Sequence, residues 1–294
     1  MPDDFGEVQA VYSLSDEMLT LARANQDADL SNVGTLIGEF QKRFTAKRSL
    51  NWSYLTDENF EKLVRAERKP EAINRLLLSH LIRLAEAYQV MSVWRAVEVA
   101  APAVRALNSN EITAACVLTR SLLELAASFA LAVPQIEKWF RSLPWESASE
   151  TLFGAEEMEQ FLTKLVFGWR LDGGDDALKQ TNIVTLIQKL DKLAVQRGLP
   201  SKMVEERYAV LSEAAHPNHL GFERFTAAVS HDAGTGWSSR QISVAAKGGA
   251  RDHLVVNCLW ALAFAHSIML ANVSRIDEAK KAYLGALGPP LPQP

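Results

Sequence analysis

Residues 254–274 form a run of 21 without an Asp, Glu, Lys or Arg. As a helix, such a run is long enough to cross a bilayer. It also fits the central helix of a water-soluble bundle, which is apolar on every side because every side is covered. Asn257, His266, Ser267 and Asn272 lie within it. Polar groups are costly in hydrocarbon and ordinary inside a protein, so the run is expected to be a buried core helix, with no membrane involved.

The rest of the chain reads the same way, as an all-α multi-helix bundle. Apolar residues recur at three- and four-residue spacing over about residues 8–24, 30–44 and 57–66. These pieces are short, polar-rich and broken at Asn51-Trp52-Ser53, so residues 1–69 are expected to be an N-terminal helical extension. The helical-bundle core is placed at residues 70–285. It opens with a long stretch from Pro70 to about Leu107, in which Pro102 predicts a kink or break. Asn108-Ser109-Asn110 predicts a turn and N-cap before a helix from Glu111 to about Ala132. Pro134 and Pro144 should bracket a short helix with Trp139 and Phe140, followed by a helix from about Ser147 to Phe167 and a loop at residues 171–176.

Two further helices are expected, from Asn182 to Gln196 and from Ser201 to Ala215, with Ser201 as a candidate cap. Near residues 222–247 the period changes around Gly234-Thr235-Gly236, which predicts a small irregular or β-hairpin insertion. A last helix should run from about Arg251 to Tyr283, and the Gly-Pro-Pro tail, residues 286–294, reads as disordered.

Composition narrows the function classes. Hydrophobic content of 48% with 22% charge is that of a globular protein, and a net charge of −4 disfavours general binding of polyanions. Cys116 and Cys258 lie in apolar helical runs and read as small buried hydrophobes in a reducing compartment. The first thirty residues lack a basic start followed by an apolar core, so a cytoplasmic location is expected. No cofactor is expected. Neither Gly173-Gly174 nor Gly248-Gly249 leads into the Lys-Ser/Thr of a phosphate loop, no G-x-S-x-G elbow occurs, and no strands are available for a dinucleotide-binding sheet.

Chemistry is most concentrated between Tyr208 and Gly221. Tyr208, Ser212 and His216 fall within an arc of about 80° on one helix, and Pro217 should end that helix near Ala215 or His216. Asn218 follows directly. A second group is Arg120 and Glu124, at i, i+4 spacing and the only charges between Glu111 and Glu137. A buried guanidinium has more donors than one carboxylate can occupy, so Tyr208 and Ser212 are expected to converge on it. The polar network predicted from sequence is therefore Arg120, Glu124, Tyr208, Ser212 and Asn218.

The succession of Asn108-Ser109-Asn110, Arg120-Ser-Leu-Leu-Glu124, Phe167-Gly168-Trp169-Arg170 and Tyr208-x-x-Leu-Ser212-x-x-x-His216-Pro217-Asn218 resembles a family of bacterial helical-bundle proteins of uncharacterised activity. The resemblance covers about residues 85–285. It brings no established activity, and implies a setting in bacterial stress or phage defence for the role expected of the chain, a binding or regulatory one with a small ligand or a protein as partner. More distantly, the chain is similar to the HEPN superfamily, helical bundles that include metal-independent RNases. Their signature is an Arg, a polar residue, four to six further residues and a His. Here Arg207-Tyr208 precedes His216 by seven intervening residues, with no Asn or Asp after the Arg.

In the RNase alternative, implied by that likeness, His216 would take the 2′-hydroxyl proton and Arg207 would stabilise charge on the phosphate. A second alternative is metal binding through Glu213-x-x-His216-x-x-His219 with His231, although no metal ligand is assigned. Against both stands a structural reading, in which His216 serves the helix C-terminus and Arg120 with Glu124 sets helix register. Binding is the leading expectation, with RNA as the less favoured partner and a homodimer left open.

Overall fold

The computed structural model of the 294-residue chain describes residues 13–24, 30, 32–45, 56–66, 69–147, 155–168, 181–226 and 229–288. The expected helix start at Val8, the break at Asn51-Trp52-Ser53, Trp169-Arg170, the 171–176 loop and the tail beyond residue 288 lie outside them. The helices are α1 (Asp16–Ala24), α2 (Val33–Thr45), α3 (Asp57–Ala66), α4 (Pro70–Asn108), α5 (Ile112–Ser142), α6 (Glu156–Phe167), α7 (Ile183–Gln196), α8 (Met203–Ala215), α9 (His219–Glu223) and α10 (Gly249–Leu287). A 3-10 turn at Trp145–Ser147 follows α5, and two antiparallel strands, β1 (Ser230–His231) and β2 (Ser238–Ser239), lie between α9 and α10. The fold is the expected all-α bundle with a small hairpin insertion.

The break predicted at Pro134 does not occur, and the helix through Pro102 is unbroken. α4 continues through Pro102 and α5 through Pro134, so Trp139 and Phe140 lie in the closing turns of α5 rather than in a separate helix. An internal proline costs about 3 kcal/mol through a lost hydrogen bond and a clash with the carbonyl four residues back. Here Val104 and Leu107 beyond Pro102, and Val133, Ile136 and Phe140 around Pro134, are buried. Burial of such side chains contributes roughly 1.5–3 kcal/mol each, which outweighs the local penalty.

Contacts divide the chain into two compact units that do not follow chain order. One comprises Met1–Thr45, Arg95–Ser128 and Ile183–Ile268, the other Ala46–Trp94, Phe129–Asn182 and Met269–Pro294. Each of the long helices α4, α5 and α10 therefore gives one part to each unit. In the second unit the core is built from Leu78, Leu81 and Ile82 of α4, Phe129, Ile136 and Phe140 of α5, Leu162 of α6 and Ile276 and Tyr283 of α10. Several of its buried polar groups pair with one another: Tyr283 with Ser79 at 2.7 Å, Gln89 with the Val273 carbonyl at 3.0 Å, and Glu137 with Arg275.

In the first unit the turn after α4 does not act as an N-cap. Asn108 holds the approach to α1, accepting from Ser15 N at 2.9 Å and donating to Ser13 O at 2.8 Å. Asn110 adopts a left-handed backbone (φ 59°), and its Oδ1 accepts from Arg251 Nε at 2.9 Å. Arg251 is 2% exposed and reaches Glu17 at 2.9 Å and Asp252 at 2.8 Å, so each nitrogen of the buried guanidinium has a partner.

α5 and α10 are long and apolar enough to cross a membrane, by length and composition. Within α10 the polar Asn257, His266 and Asn272 are each 1% exposed. His266 donates through Nδ1 to the Leu262 carbonyl at 2.7 Å and meets the ring of Phe40 edge-on, while its Nε2 is buried without a hydrogen-bond partner among the described residues.

α8 is capped from a distance. Ser201 does not cap it; instead Asp191 of α7, 4% exposed, accepts from Lys202 N at 2.9 Å and Val204 N at 2.8 Å. Replacing Asp191 by Ala should lower unfolding stability by about 1–2 kcal/mol, the cost of a lost helix cap. Urea denaturation of the two proteins measures it; unchanged midpoints would show that the cap contributes nothing.

Burial pushes the His266 pKa down from 6.5 to about 4, against the pull of the Leu262 carbonyl. Between those values the unfolded chain binds a proton that the folded protein refuses. The stabilising contribution is therefore whole above pH 6.5 and is lost as pH falls through about 4, amounting to roughly 3 kcal/mol. Denaturation midpoints of wild type and His266→Leu, followed across this range, should show a shallower acid decline in the variant.

Candidate functional site

α8 presents two adjacent side chains to two different neighbours. Tyr208 faces α5, and its hydroxyl donates to Glu124 Oε1 at 2.9 Å. Arg120 Nε donates to the same oxygen at 3.2 Å, and the guanidinium carbon lies 5.5 Å from the centre of the Tyr208 ring. The expected Arg120, Glu124 and Tyr208 convergence is thus present. The expected enclosure is not, because the Arg120 and Glu124 side chains are 29% and 27% exposed. α5 borders solvent on this side, as the exposed Val117 one turn earlier shows.

Burial, then the bond to the Glu124 carboxylate, raises the Tyr208 pKa, with Arg120 pulling the other way. The phenol therefore stays a hydrogen-bond donor. A half-exposed pair of this kind contributes about 0.2–1 kcal/mol, well below the cost of breaking an enclosed ion pair.

The remaining predicted residues go elsewhere. Ser212 Oγ is buried and has no hydrogen-bond partner among the described residues, so it does not join Arg120. His216 has left the helix for an extended conformation (φ −95°, ψ 153°) and its side chain is exposed. Asn218 caps α9 by accepting from Gly221 N at 3.2 Å, and its amide donates to Glu213. A Cβ at Gly221 would stand 2.5 Å from the His216 carbonyl, so only glycine fits there. The His216-Pro217-Asn218-x-x-Gly221 motif thus builds the turn from α8 into α9.

Arg207 faces α10. Its Nη1 donates to Asn257 Oδ1 at 3.0 Å, and its guanidinium carbon lies 5.7 Å from the centre of the Trp260 ring. The Asn257 amide donates to the His253 carbonyl at 2.7 Å and lies 3.3 Å from His253 Nε2. Arg207, His253 and Asn257 border a cleft of about 560 Å³, within the usual range for a small-molecule site. Leu21, Met203, Val210 and Val256 form its apolar wall, with Arg207, His253, Asn257, Glu206 and Asp252 as polar lining.

Arg207 and His216 do not form a pair. Nine residues apart, they stand about 180° around the α8 axis and about 13.5 Å along it, and His216 lies beyond the last helical residue. His253 and Asn257 went unassigned in the sequence, although their i, i+4 spacing placed them on one face of the same helix. Among the described residues no three His, Cys, Asp or Glu side chains are grouped to hold a metal ion. His219 instead stands 3.6 Å from Glu223, and His231 is bonded to Ser238 at 2.7 Å.

Comparison with known proteins finds no matching family model, no matching curated protein and no matching solved structure. The reading of function accordingly rests on the residues themselves.

Tyr208→Phe should cost about 0.5–1.5 kcal/mol at neutral pH, the worth of one hydrogen bond. Because the folded pKa of Tyr208 is raised above the ordinary 10.0, its contribution is whole below that pH and is lost as pH rises through the folded value. Tyr283 shifts in the same direction. Alkaline denaturation should therefore be shallower in Tyr208→Phe without becoming flat.

Proposed function

We propose that this is a binding or regulatory protein whose ligand is a small molecule with an anionic group and an apolar body, held in the Arg207 cleft. One observation carries the reading. Arg207 is held in place before any ligand arrives, by Asn257 Oδ1 and by the Trp260 ring, beside a wall of Met203, Val210 and Val256. A guanidinium in a fixed orientation loses less freedom on binding an anion than a mobile one does. His253 at the same cleft can add a donor, and Glu206 with Asp252 selects against a ligand with dispersed negative charge.

A setting in bacterial stress or phage defence belongs to the same proposal through the motif resemblance, and a cytoplasmic location is proposed with it. The RNase reading is supported less, because His216 stands apart from Arg207 and closes a turn.

Thermal-shift and calorimetric titrations with inorganic phosphate, adenosine nucleotides and medium-chain carboxylates test the proposal. At least one of these classes should raise the Tm of wild type. Its affinity should fall about 10- to 150-fold in Arg207→Ala, the loss of one charge-assisted hydrogen bond of about 1.5–3 kcal/mol. His216→Ala should bind as wild type does. If no class binds, or binding survives Arg207→Ala, the proposal fails. Metal-independent cleavage of single-stranded RNA that stops in His216→Ala would install the RNase reading in its place.

A further inference from the structure

The two cysteines of the chain lie 142 positions apart, yet the fold brings their sulfurs within 3.6 Å of each other. Cys116 sits in the second turn of α5 and Cys258 in the third turn of α10, and both are fully buried in the first unit. Both thiols are free. A disulfide needs about 2.05 Å between sulfurs, so closure requires an approach of about 1.5 Å, within reach of side-chain rotation and a small helix adjustment.

We propose that Cys116 and Cys258 form an oxidisable pair that closes into an intramolecular disulfide joining α5 to α10 under oxidative stress. The oxidant is a small peroxide. One cysteine thiolate attacks a peroxide oxygen, the O–O bond breaks, and the departing hydroxide takes up the thiol proton and leaves as water. The resulting sulfenic acid is attacked by the second sulfur. The S–S bond forms, the S–O bond breaks, and the hydroxyl leaves as water with the second thiol proton. Two thiols and one peroxide thus give one disulfide and two waters, a two-electron oxidation.

Two features of the surroundings shape this reaction. The hydrogen bond to Cys258 and burial keep the Cys116 thiol protonated, so the first step is slow. The Arg224 guanidinium opposes them only in part, so the Cys116 thiol stays protonated and either sulfur of the pair can begin the reaction. Because the chain has no third cysteine, the sulfenic acid has one intramolecular thiol to meet. That thiol is already in contact.

The test uses the full chain, reduced and then exposed to hydrogen peroxide, with excess peroxide removed before analysis. Intact mass should fall by about 2 Da, and peptide mapping without reductant should join the Cys116 and Cys258 peptides. Because the cross-link closes a long loop, the oxidised protein should melt several degrees higher, at about 5 °C or more. Reduction should restore the starting Tm. In Cys258→Ser, Cys116 should instead be trapped by a sulfenic-acid reagent; should that variant not fold, the wild-type mass and peptide map still decide. The proposal is overturned if both thiols alkylate fully after oxidation and denaturation, if Cys116 proceeds to a sulfinic acid, or if the disulfide forms between two chains.

Discussion

A buried guanidinium must find acceptors, and the way Arg251 does so organises the first unit. Its cost of desolvation is several kcal/mol unless its donors are occupied. The acceptors come from separate places: Glu17 on α1, Asn110 in the turn after α4, and Asp252 beside it. Asn110 in turn donates to the Val244 carbonyl and accepts from Arg224 through its own carbonyl, which fastens the base of the hairpin segment. The left-handed backbone at Asn110 is what lets one residue face all of these groups, and asparagine tolerates that conformation better than most side chains do.

With α1 and the start of α10 held in this way, α8 is the helix that contributes to both polar clusters. Its N-terminus is positioned by Asp191. Its consecutive residues Arg207 and Tyr208 point about 100° apart, one toward Asn257 and the other toward Glu124. In the part-exposed Tyr208 cluster one carboxylate oxygen of Glu124 accepts from both neighbours. The Arg207 cluster lines the cleft.

Much of the fold was legible in local pattern. Period-3.6 spacing located the helices, Gly198 with φ 92° ended α7 near the expected place, and Pro217 ended α8 at Ala215. The Arg120 and Glu124 pair was legible for the same reason, since i, i+4 neighbours meet in any helix. Pro134 misled because its penalty is local whereas the burial that overrides it is not. Ser201 misled similarly: it offered a cap in sequence, and Asp191 supplied the acceptors from a neighbouring helix.

The sequence by itself determined which segments are helical, which faces are apolar and where the Tyr208 to Gly221 stretch must turn, because these depend on residues within a few positions of one another. Only the tertiary structure decided which polar groups meet. Asp191 caps a helix starting 12 residues on, Arg207 finds Asn257 50 residues away, and Cys116 finds Cys258 142 residues away. Each of those meetings depends on how helices pack side by side, and the spacing of residues along a chain leaves that packing unspecified.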